Sequence, residues 1–415
     1  MKKLLLLLIV WTTSFTALKA QGIWTSRTPF PDSARGYGIG FSIGNYGYMG
    51  LGTQSGDVNS ISFNDFWQFN PSTNSWTKKS NFPGVARICP ATFVIGNYAY
   101  IVTGQRSDSL PPHFTNECWQ YNSSNDKWTQ RANFPGVARG YAVGFSIGGK
   151  GYVGTGSQYN QNYRKDFWAY DTATNTWSQI TDFGGTARIS ACGFSASGKG
   201  YLCFGDDSIT GTRNDIWEYD TATKLWTQKN NNPGPSQCAT SGFVINNKIY
   251  VGAGTDNTNG KCYNEFWQYE PLLDSWISQA TLPGLGLTAC STFAIKDTGY
   301  LGLGVDSVVM GHKELYKFYA DTTITSMNEL LAAKDDIVIF PNPFNTSCTI
   351  SIPDNFYNSI PKFTLYDFNG VQEDIRISDF NHRYILYRNN LTPGPYMLEI
   401  KYNNKIFNEK LLITN

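Results

Sequence analysis

Along most of the chain, short runs of alternating apolar and small or polar residues are broken by turn signals, and the breaks recur at a fixed period. The run from Tyr37 to Ile43 is typical: period-two alternation that predicts a half-buried strand, closed by Gly44-Asn45. Equivalent turn pairs follow at Gly96-Asn97, Gly148-Gly149, Ser197-Gly198, Asn246-Asn247 and Lys296-Asp297. Gly and Asn tolerate positive φ, so most of these pairs suit two-residue type I′ hairpins. Ten tryptophans form five pairs nine residues apart: Trp67/Trp76, Trp119/Trp128, Trp168/Trp177, Trp217/Trp226 and Trp267/Trp276. First members are 52, 49, 49 and 50 residues apart, and a further 49 reaches Tyr316. Each period therefore predicts four strands. Strand a precedes the turn pair, strand b ends at a glycine, strand c carries the first Trp and strand d the second.

Two further spacings fix the register. Arg35, Arg87, Arg139, Arg188, Gln237 and Leu287 each lie 11 residues after a second-member Trp, counting Trp24 as one. Seventeen residues beyond them stand Gly52, Gly104, Gly156, Gly205, Gly254 and Gly304. Only the gap from that glycine to the next strand-c aromatic varies: 15, 15, 12, 12, 13 and 12 residues. Repeats of about 50 residues built from four strands form radial sheets around an axis. The sixth unit stops after its strand c (Leu315 to Tyr319), while Ile23 to Ser26 carries an unpaired d-type Trp24. The N-terminal strand is thus expected to complete the sixth blade and hide two sheet edges. The recurring Arg, the strand-b glycine, the acidic-x-Trp start of strand c and the second Trp together resemble the kelch family, over about residues 23–320. The resemblance implies a six-bladed kelch β-propeller spanning 21–320, and short alternating strands with Gly, Pro and Asn punctuation beyond it predict a small C-terminal β-sandwich, an all-β fold throughout.

The ends of the chain carry addresses. Lys2-Lys3, an apolar run from Leu4 to Trp11 and a small residue at Ala20 read as a signal peptide over 1–20. The run is far short of the roughly 20 residues a spanning helix needs, so no transmembrane segment is expected in the mature chain. Residues 321–336 read as a linker. Beyond it, Pro341-Asn342-Pro343-Phe344, then Leu365-Tyr366-Asp367 ahead of Gly370, then Leu391 with Gly394 and Tyr396, then Lys410-Leu411 resemble the type A C-terminal sorting domain of type IX secretion. That resemblance covers 337–415 and implies transport through the type IX machinery, via the periplasm, to secretion or display on the outer-membrane surface.

Composition excludes more than it identifies. With 33 basic and 32 acidic residues, net charge +1 and only 16% charged residues, the chain has no electrostatic footprint for nucleic acid. Aromatic residues at 15% exclude general disorder. In an a-b-c-d meander, the d–a and b–c connections emerge on one face, and all length variation lies in the b–c loop. Loops on a rigid scaffold are where binding resides. These loops carry Asp57, Phe63, Asp108, His113, Phe114, Tyr159, Tyr163, Asp206, Asp207, Asp256, Tyr263, Asp306 and His312, a mixture that suits a sugar or a polar protein partner.

Arg35, Arg87, Arg139 and Arg188 enter strand a near the same face. Asp65, Glu117, Asp166, Asp215, Glu265 and Glu314 precede every strand-c aromatic by two residues. Two readings stay open for the arginines: structural ion pairs repeated with the scaffold, or ligand contacts together with Tyr159, Tyr163 and Tyr263. Gln237 and Leu287 leave Glu265 and Glu314 without an Arg, making one side of the mouth more acidic. Three histidines and no metal-ligand or phosphate-loop spacing point to no cofactor and no assembled catalytic group. The expected role is a non-catalytic binding module for a glycan or protein. The alternative is a sugar-active enzyme, since the sialic acid mutarotases and galactose oxidase are kelch propellers. Cys192 and Cys203 flank the Ser197-Gly198 turn symmetrically, which places them within disulfide range, with reduced, buried thiols as the other reading.

Overall fold

Every hairpin predicted from the repeat is formed in the computed structural model, which describes residues 22–55, 60–106, 113–158, 162–320, 338–340, 346–351, 361–367, 370–380, 383–402 and 405–413. The signal-peptide stretch, the linker, Asp57, Asp108, Tyr159 and the Pro341–Phe344 motif lie outside the described residues. The chain divides into two units, up to residue 322 and from residue 323.

The first unit consists of six four-stranded antiparallel sheets, each running a-b-c-d. In blade 2 these strands are Ala91–Ile95, Tyr98–Val102, Cys118–Asn122 and Lys127–Arg131. Blade 6 takes its first three strands from Ser291–Ile295, Thr298–Gly302 and Leu315–Tyr319, and its fourth from Ile23–Arg27. Trp24 sits opposite Phe318 in that antiparallel pair, so the two chain ends of the ring are hydrogen-bonded into one sheet. Its indole donates to the Ala280 carbonyl at 2.9 Å and meets Phe266 and Phe318 at centroid distances of 5.0 and 4.8 Å. Closure pairs the outer side of Leu315–Tyr319 and gives blade 6 the same short d-strand edge as the other blades.

Neighbouring blades are joined by aromatic packing. Phe41, Tyr48 and Phe66 of blade 1 share a core cluster with Tyr121 and Trp128 of blade 2, and Phe66 lies edge-on to Tyr121 at 4.8 Å. The small residues of strand a have the complementary role, since they crowd towards the axis. A Cβ at Gly144 would lie 2.7 Å from the Thr92 carbonyl oxygen of the preceding blade.

Two backbone belts run around the axis. In the inner one Tyr37, Cys89, Tyr141, Ser190, Ala239 and Ala289 each donate their amide to the carbonyl of the equivalent residue one blade back, at 2.8–3.2 Å, and Tyr37 closes the circle on Ala289. All six have φ between 48 and 59°, and the closed circle of bonds is what holds these non-glycine residues in the left-handed region. In the second belt, at five of six joints, the strand-b glycine of one blade donates to the carbonyl of the Arg position in the next, as Gly104 does to Arg139 at 2.8 Å; the joint from Gly254 to Leu287 lacks the bond. Gly104 has φ +113°, and a Cβ there would meet the Arg87 side chain at 3.0 Å, so both conformation and space require glycine. The a–b turns are less uniform than the sequence predicts. Both turn residues have positive φ in blades 3, 4 and 5, whereas Gly44, Gly96 and Lys296 alone do so in the other three.

The second unit has two four-stranded antiparallel sheets. One orders Val338–Phe340, Ser347–Ser351, Arg383–Tyr387 and Arg376–Phe380; the other orders Gln372–Glu373, Lys362–Asp367, Gly394–Tyr402 and Lys405–Ile413. Cys348, Ile350 and Leu386 of the first share one buried cluster with Leu365, Leu398, Ile400 and Leu411 of the second, which makes the unit a β-sandwich. No described helix is long and apolar enough to cross a membrane.

Candidate functional site

The loop face of the propeller is built on a repeated buried slot. In blades 1 to 4 an arginine enters it: Arg35, Arg87, Arg139 and Arg188 are all 0–1% exposed. Arg139 shows the arrangement. Its Nε donates to the Val137 carbonyl at 2.9 Å, and Nη1 donates to the Thr155 carbonyl at 3.0 Å. Its two terminal nitrogens grip the Asp166 carboxylate at 2.6 and 2.8 Å, and Trp168 Nε1 donates to the same carboxylate at 2.9 Å. Phe134 lies 5.0 Å beneath the guanidinium. Arg188 repeats the set with Asp215, Trp217 and Phe183, Arg87 with Glu117, Trp119 and Phe82, and Arg35 with Asp65, Trp67 and Phe30. Burial works against ionised Asp166 and Glu117, yet the paired arginine and the Trp indole outweigh it and hold both carboxyls below their usual range.

Of the two readings the sequence leaves open for these arginines, the geometry carries the structural one. Their guanidinium groups are enclosed and spent on carboxylates and carbonyls. With Arg35, Arg87, Arg139 and Arg188 at 0–1% exposure, burial withdraws them as binding groups. Buried charges are paired because an unpaired one costs several kcal/mol, roughly 3–5 when one partner is lost.

Above the slots stands a crown of small sheets made by the residue after the Arg position and the two arms of the b–c loop, as in Arg188–Ile189, Asp206–Asp207 and Gly211–Thr212. One crown position escaped the sequence reading as a row, although it lies four residues before every strand-c aromatic. It holds Phe63, Thr115, Arg164, Arg213, Tyr263 and His312. All six amides donate to the carbonyl of the strand-b glycine at 2.8–3.1 Å, so this backbone bond is the same in every blade. The side chains are all different in task. Phe63 covers the Arg35 guanidinium at 3.7 Å, and Arg213 holds Asp207. Arg164 reaches Gln158 at 3.0 Å and leaves its Nε buried without a partner. His312 stands between two carboxylates, 3.1 Å from Asp306 and 3.4 Å from Glu314.

The inner belt forms the floor of the mouth, and its side chains are unequal: Tyr37, Cys89 and Tyr141 on one side, Ser190, Ala239 and Ala289 on the other. They line a cavity of about 160 Å³. Tyr141 Oη donates to Gln105 in the crown wall at 3.1 Å. Tyr163 is half-buried within electrostatic reach of Asp206, and burial followed by that charge pushes its phenol up. Burial, Asp256 and Glu265 do the same to Tyr263. Tyr163 and Tyr263 therefore sit in the crown, in blades 3 and 5.

Blades 5 and 6 fill the slot differently. In blade 6 it is apolar, with Leu282 at the Phe position and Leu287 at the Arg position, both buried. In blade 5 it is polar and unfinished. Asn232 replaces the Phe and Gln237 the Arg, and Glu265 has no ion pair among the described residues. Both amide atoms of Gln237, the amide nitrogen of Asn232 and Trp267 Nε1 are buried without partners.

All eight cysteines are free. Cys192 does lie directly opposite Cys203, but its Sγ turns to the next blade and donates to the Thr240 carbonyl at 2.6 Å, so of the two readings the reduced, buried thiols are the ones present. Cys238 and Cys262 are the outer members of one three-stranded crown sheet with Thr255 between them, two strand spacings apart and beyond disulfide reach. Burial pushes the Cys192 thiol up to about 12 and, with Asp206 and Asp256, the Cys238 thiol likewise. No group of three or more His, Cys, Asp or Glu able to hold a metal occurs among the described residues.

Comparison with known proteins agrees with this architecture. Residues 338–414 match the secretion system C-terminal sorting domain, so the chain carries a type IX sorting tail and is exported to the cell surface or secreted. Two curated relatives are N-acetylneuraminate epimerases. That of Pasteurella multocida is 28% identical over 148 residues, 34% of this chain and 37% of its own length. That of Shigella sonnei is 31% identical over 108 residues, 25% of this chain and 29% of its own. The chain thus spans about a third of the length of the curated relatives it matches. The solved structure of YjhT superposes with a TM-score of 0.59 at 14% identity, over 69% of this chain and 95% of that one, a likeness of fold. The family model of the KLHDC2/KLHL20/DRC7 Kelch-repeats domain matches residues 90–298, half of the chain, and the protein belongs to that kelch-repeat family.

Proposed function

We propose that the protein is an exported binding module that takes a glycan on the crown of its propeller, residues 21–320 carrying the ligand face and residues 337–415 serving transport. The observation that carries this reading is the crown row Phe63, Thr115, Arg164, Arg213, Tyr263 and His312: one backbone bond in all six blades, six different side chains. A scaffold that repeats its structural residues and varies one half-buried row of its loop face is the arrangement of a surface that reads something. Tyr263 in the row and Tyr163 beside it give rings on which a sugar face can stack. The arginines of the slots take no part.

The test is a glycan-array screen on the full-length protein, with Tyr263→Ala and Arg164→Ala variants alongside. Specific hits that fade in these variants support the reading. Hits from neither the protein nor any variant would move the crown to a protein partner.

A second reading has one observation in its favour. Arg164 Nε is buried, unpartnered and beside the mouth, where a sugar carboxylate could take it, and the curated relatives act on a sialic acid by name. An NMR assay of anomer and epimer exchange in N-acetylneuraminate decides it: catalysed exchange, abolished by Arg164→Lys, would make the protein an enzyme.

A further inference from the structure

We infer that blade 5 is the sector in which the crown recognises a cationic amino group, and that the ligand is an amino sugar whose ammonium pairs with Glu265. The inference deepens the glycan reading above and rests on it. In blades 1 to 4 the carboxylate two residues before the strand-c Trp is neutralised from within by a guanidinium and receives the Trp indole as well. Blade 5 keeps the carboxylate and the Trp but has lost the cation. Glu265 is half-buried with no ion pair among the described residues, and Trp267 does not donate to it.

An unpaired carboxylate alone would mean little. The independent sign is Gln237, 0% exposed in the slot the arginines occupy elsewhere, with both ends of its amide unpartnered against Gly254. Buried polar atoms are left unsatisfied at about 1–3 kcal/mol each, and such exceptions gather where a further group completes the network.

The charge of that group follows from its surroundings. Residues 254–265 and 304–314 of the crown contain four acids, Asp256, Glu265, Asp306 and Glu314, against two lysines, 261 and 313, and His312. The ring of Tyr263 already accepts a cation: Lys261 Nζ lies over it at 4.8 Å. An exposed lysine held there can be replaced by a ligand ammonium that reaches Glu265 from the same face. A partly desolvated carboxylate beside an aromatic face favours an ammonium over a neutral hydroxyl. The ring and the neighbouring hydroxyls suit a sugar bearing that amine.

The experiment compares two oligosaccharides of one length on the full-length protein by calorimetry: a glucosamine tetramer with free amines and its N-acetylated counterpart. The free amine is expected to bind about tenfold more tightly, falling to parity in Glu265→Gln. A second variant guards against misfolding. Gln237→Arg with Asn232→Phe supplies an internal guanidinium to Glu265, and it is expected to lose the amine preference while its melting temperature rises. Equal binding of the two sugars, an amine preference that survives in both variants, or a lysine-containing peptide that binds as tightly as the amino sugar would overturn the inference. If the array finds sugars without amines and the tetramers do not bind, the glycan reading stands and the cation site falls. If no sugar of any kind binds, both fall.

Discussion

Four blades of this propeller carry a guanidinium, a carboxylate, an indole and a phenyl ring in one buried slot, and two do not. The backbone registers the difference at one joint. Gly205 donates to the carbonyl of Gln237 at 3.0 Å and Gly304 to that of Arg35 at 2.8 Å, as in the arginine-to-arginine joints, whereas Gly254 makes no such bond to Leu287 and lacks the positive φ of its five equivalents. The ion pair is therefore no condition of the blade fold, which rests on strand ladders, aromatic packing and the two backbone belts. Blade 6 replaces the whole set by Leu282 and Leu287 and hands Glu314 to His312. Blade 5 removes the cation and leaves the polar atoms. Replacing a buried pair by apolar groups is often close to neutral, whereas removing one partner is costly. Blade 6 follows the first course and blade 5 the second, which is why the two unpaired blades are not alike.

The largest effect should come from imposing the blade-5 condition on a complete slot. Arg139→Met leaves Asp166 without its two hydrogen bonds and Thr155 without one, and should cost roughly 3 kcal/mol, near the low end for a broken buried pair because Asp166 keeps some solvent. Gln237→Met should cost less than about 1 kcal/mol, or stabilise, since it removes two unpartnered polar atoms. Urea denaturation of both variants decides the matter, and equal losses would mean that the slots are energetically alike.

Acid should separate the same two groups of blades. Glu117 and Asp166 have carboxyls held below their ordinary values in the folded chain. Their contribution is present above the unfolded-state values, about 4, and is lost as pH falls through the lower folded-state values. Melting temperature recorded between pH 6 and 2.5 should decline along that limb. In Arg139→Met the decline should be shallower, because Asp166 is no longer held down. An unchanged slope would sink the assignment of the acid limb to these pairs.

Much of this was legible from residue spacing alone. The 11- and 17-residue intervals locate both the slot and the second belt, and the stray Trp24 locates the closing strand, because repeats translate sequence distance directly into position. The arginines were visible but their direction was not. A residue at the mouth of a blade can point along the surface or down into the slot, and only the packing of Phe134 and its equivalents decides. The inner belt was beyond reach, since it is made of main-chain groups on six residues as different as Tyr37, Cys89 and Ala289. Cys192 and Cys203 show the reverse case: the spacing gives the register but not the choice between disulfide and thiol, which a carbonyl in the next blade decides by drawing the Cys192 thiol away.

The smallest effect is a gain, and it tests the comparison from the other side. Gln237→Arg with Asn232→Phe rebuilds in blade 5 the slot of blades 1 to 4, with Glu265 and Trp267 already in place to receive the guanidinium. The bond from Gly205 to the Gln237 carbonyl is already formed, whereas Gly254, which borders the slot, has to take up the positive φ of its equivalents. The change removes the unpartnered atoms of Gln237 and Asn232 and gives Trp267 Nε1 an anchored carboxylate. Against this stand the desolvation of a new charge and the fit of a phenyl ring where an amide now lies, so the net gain should be about 1 kcal/mol. The single variant Gln237→Arg should gain less, for it would lack the ring beneath the guanidinium. Calorimetric melting of the two variants beside the parent separates these terms. A loss in both would mean that the blade-5 slot has closed around its shorter side chains and no longer has room for the cation its relatives hold.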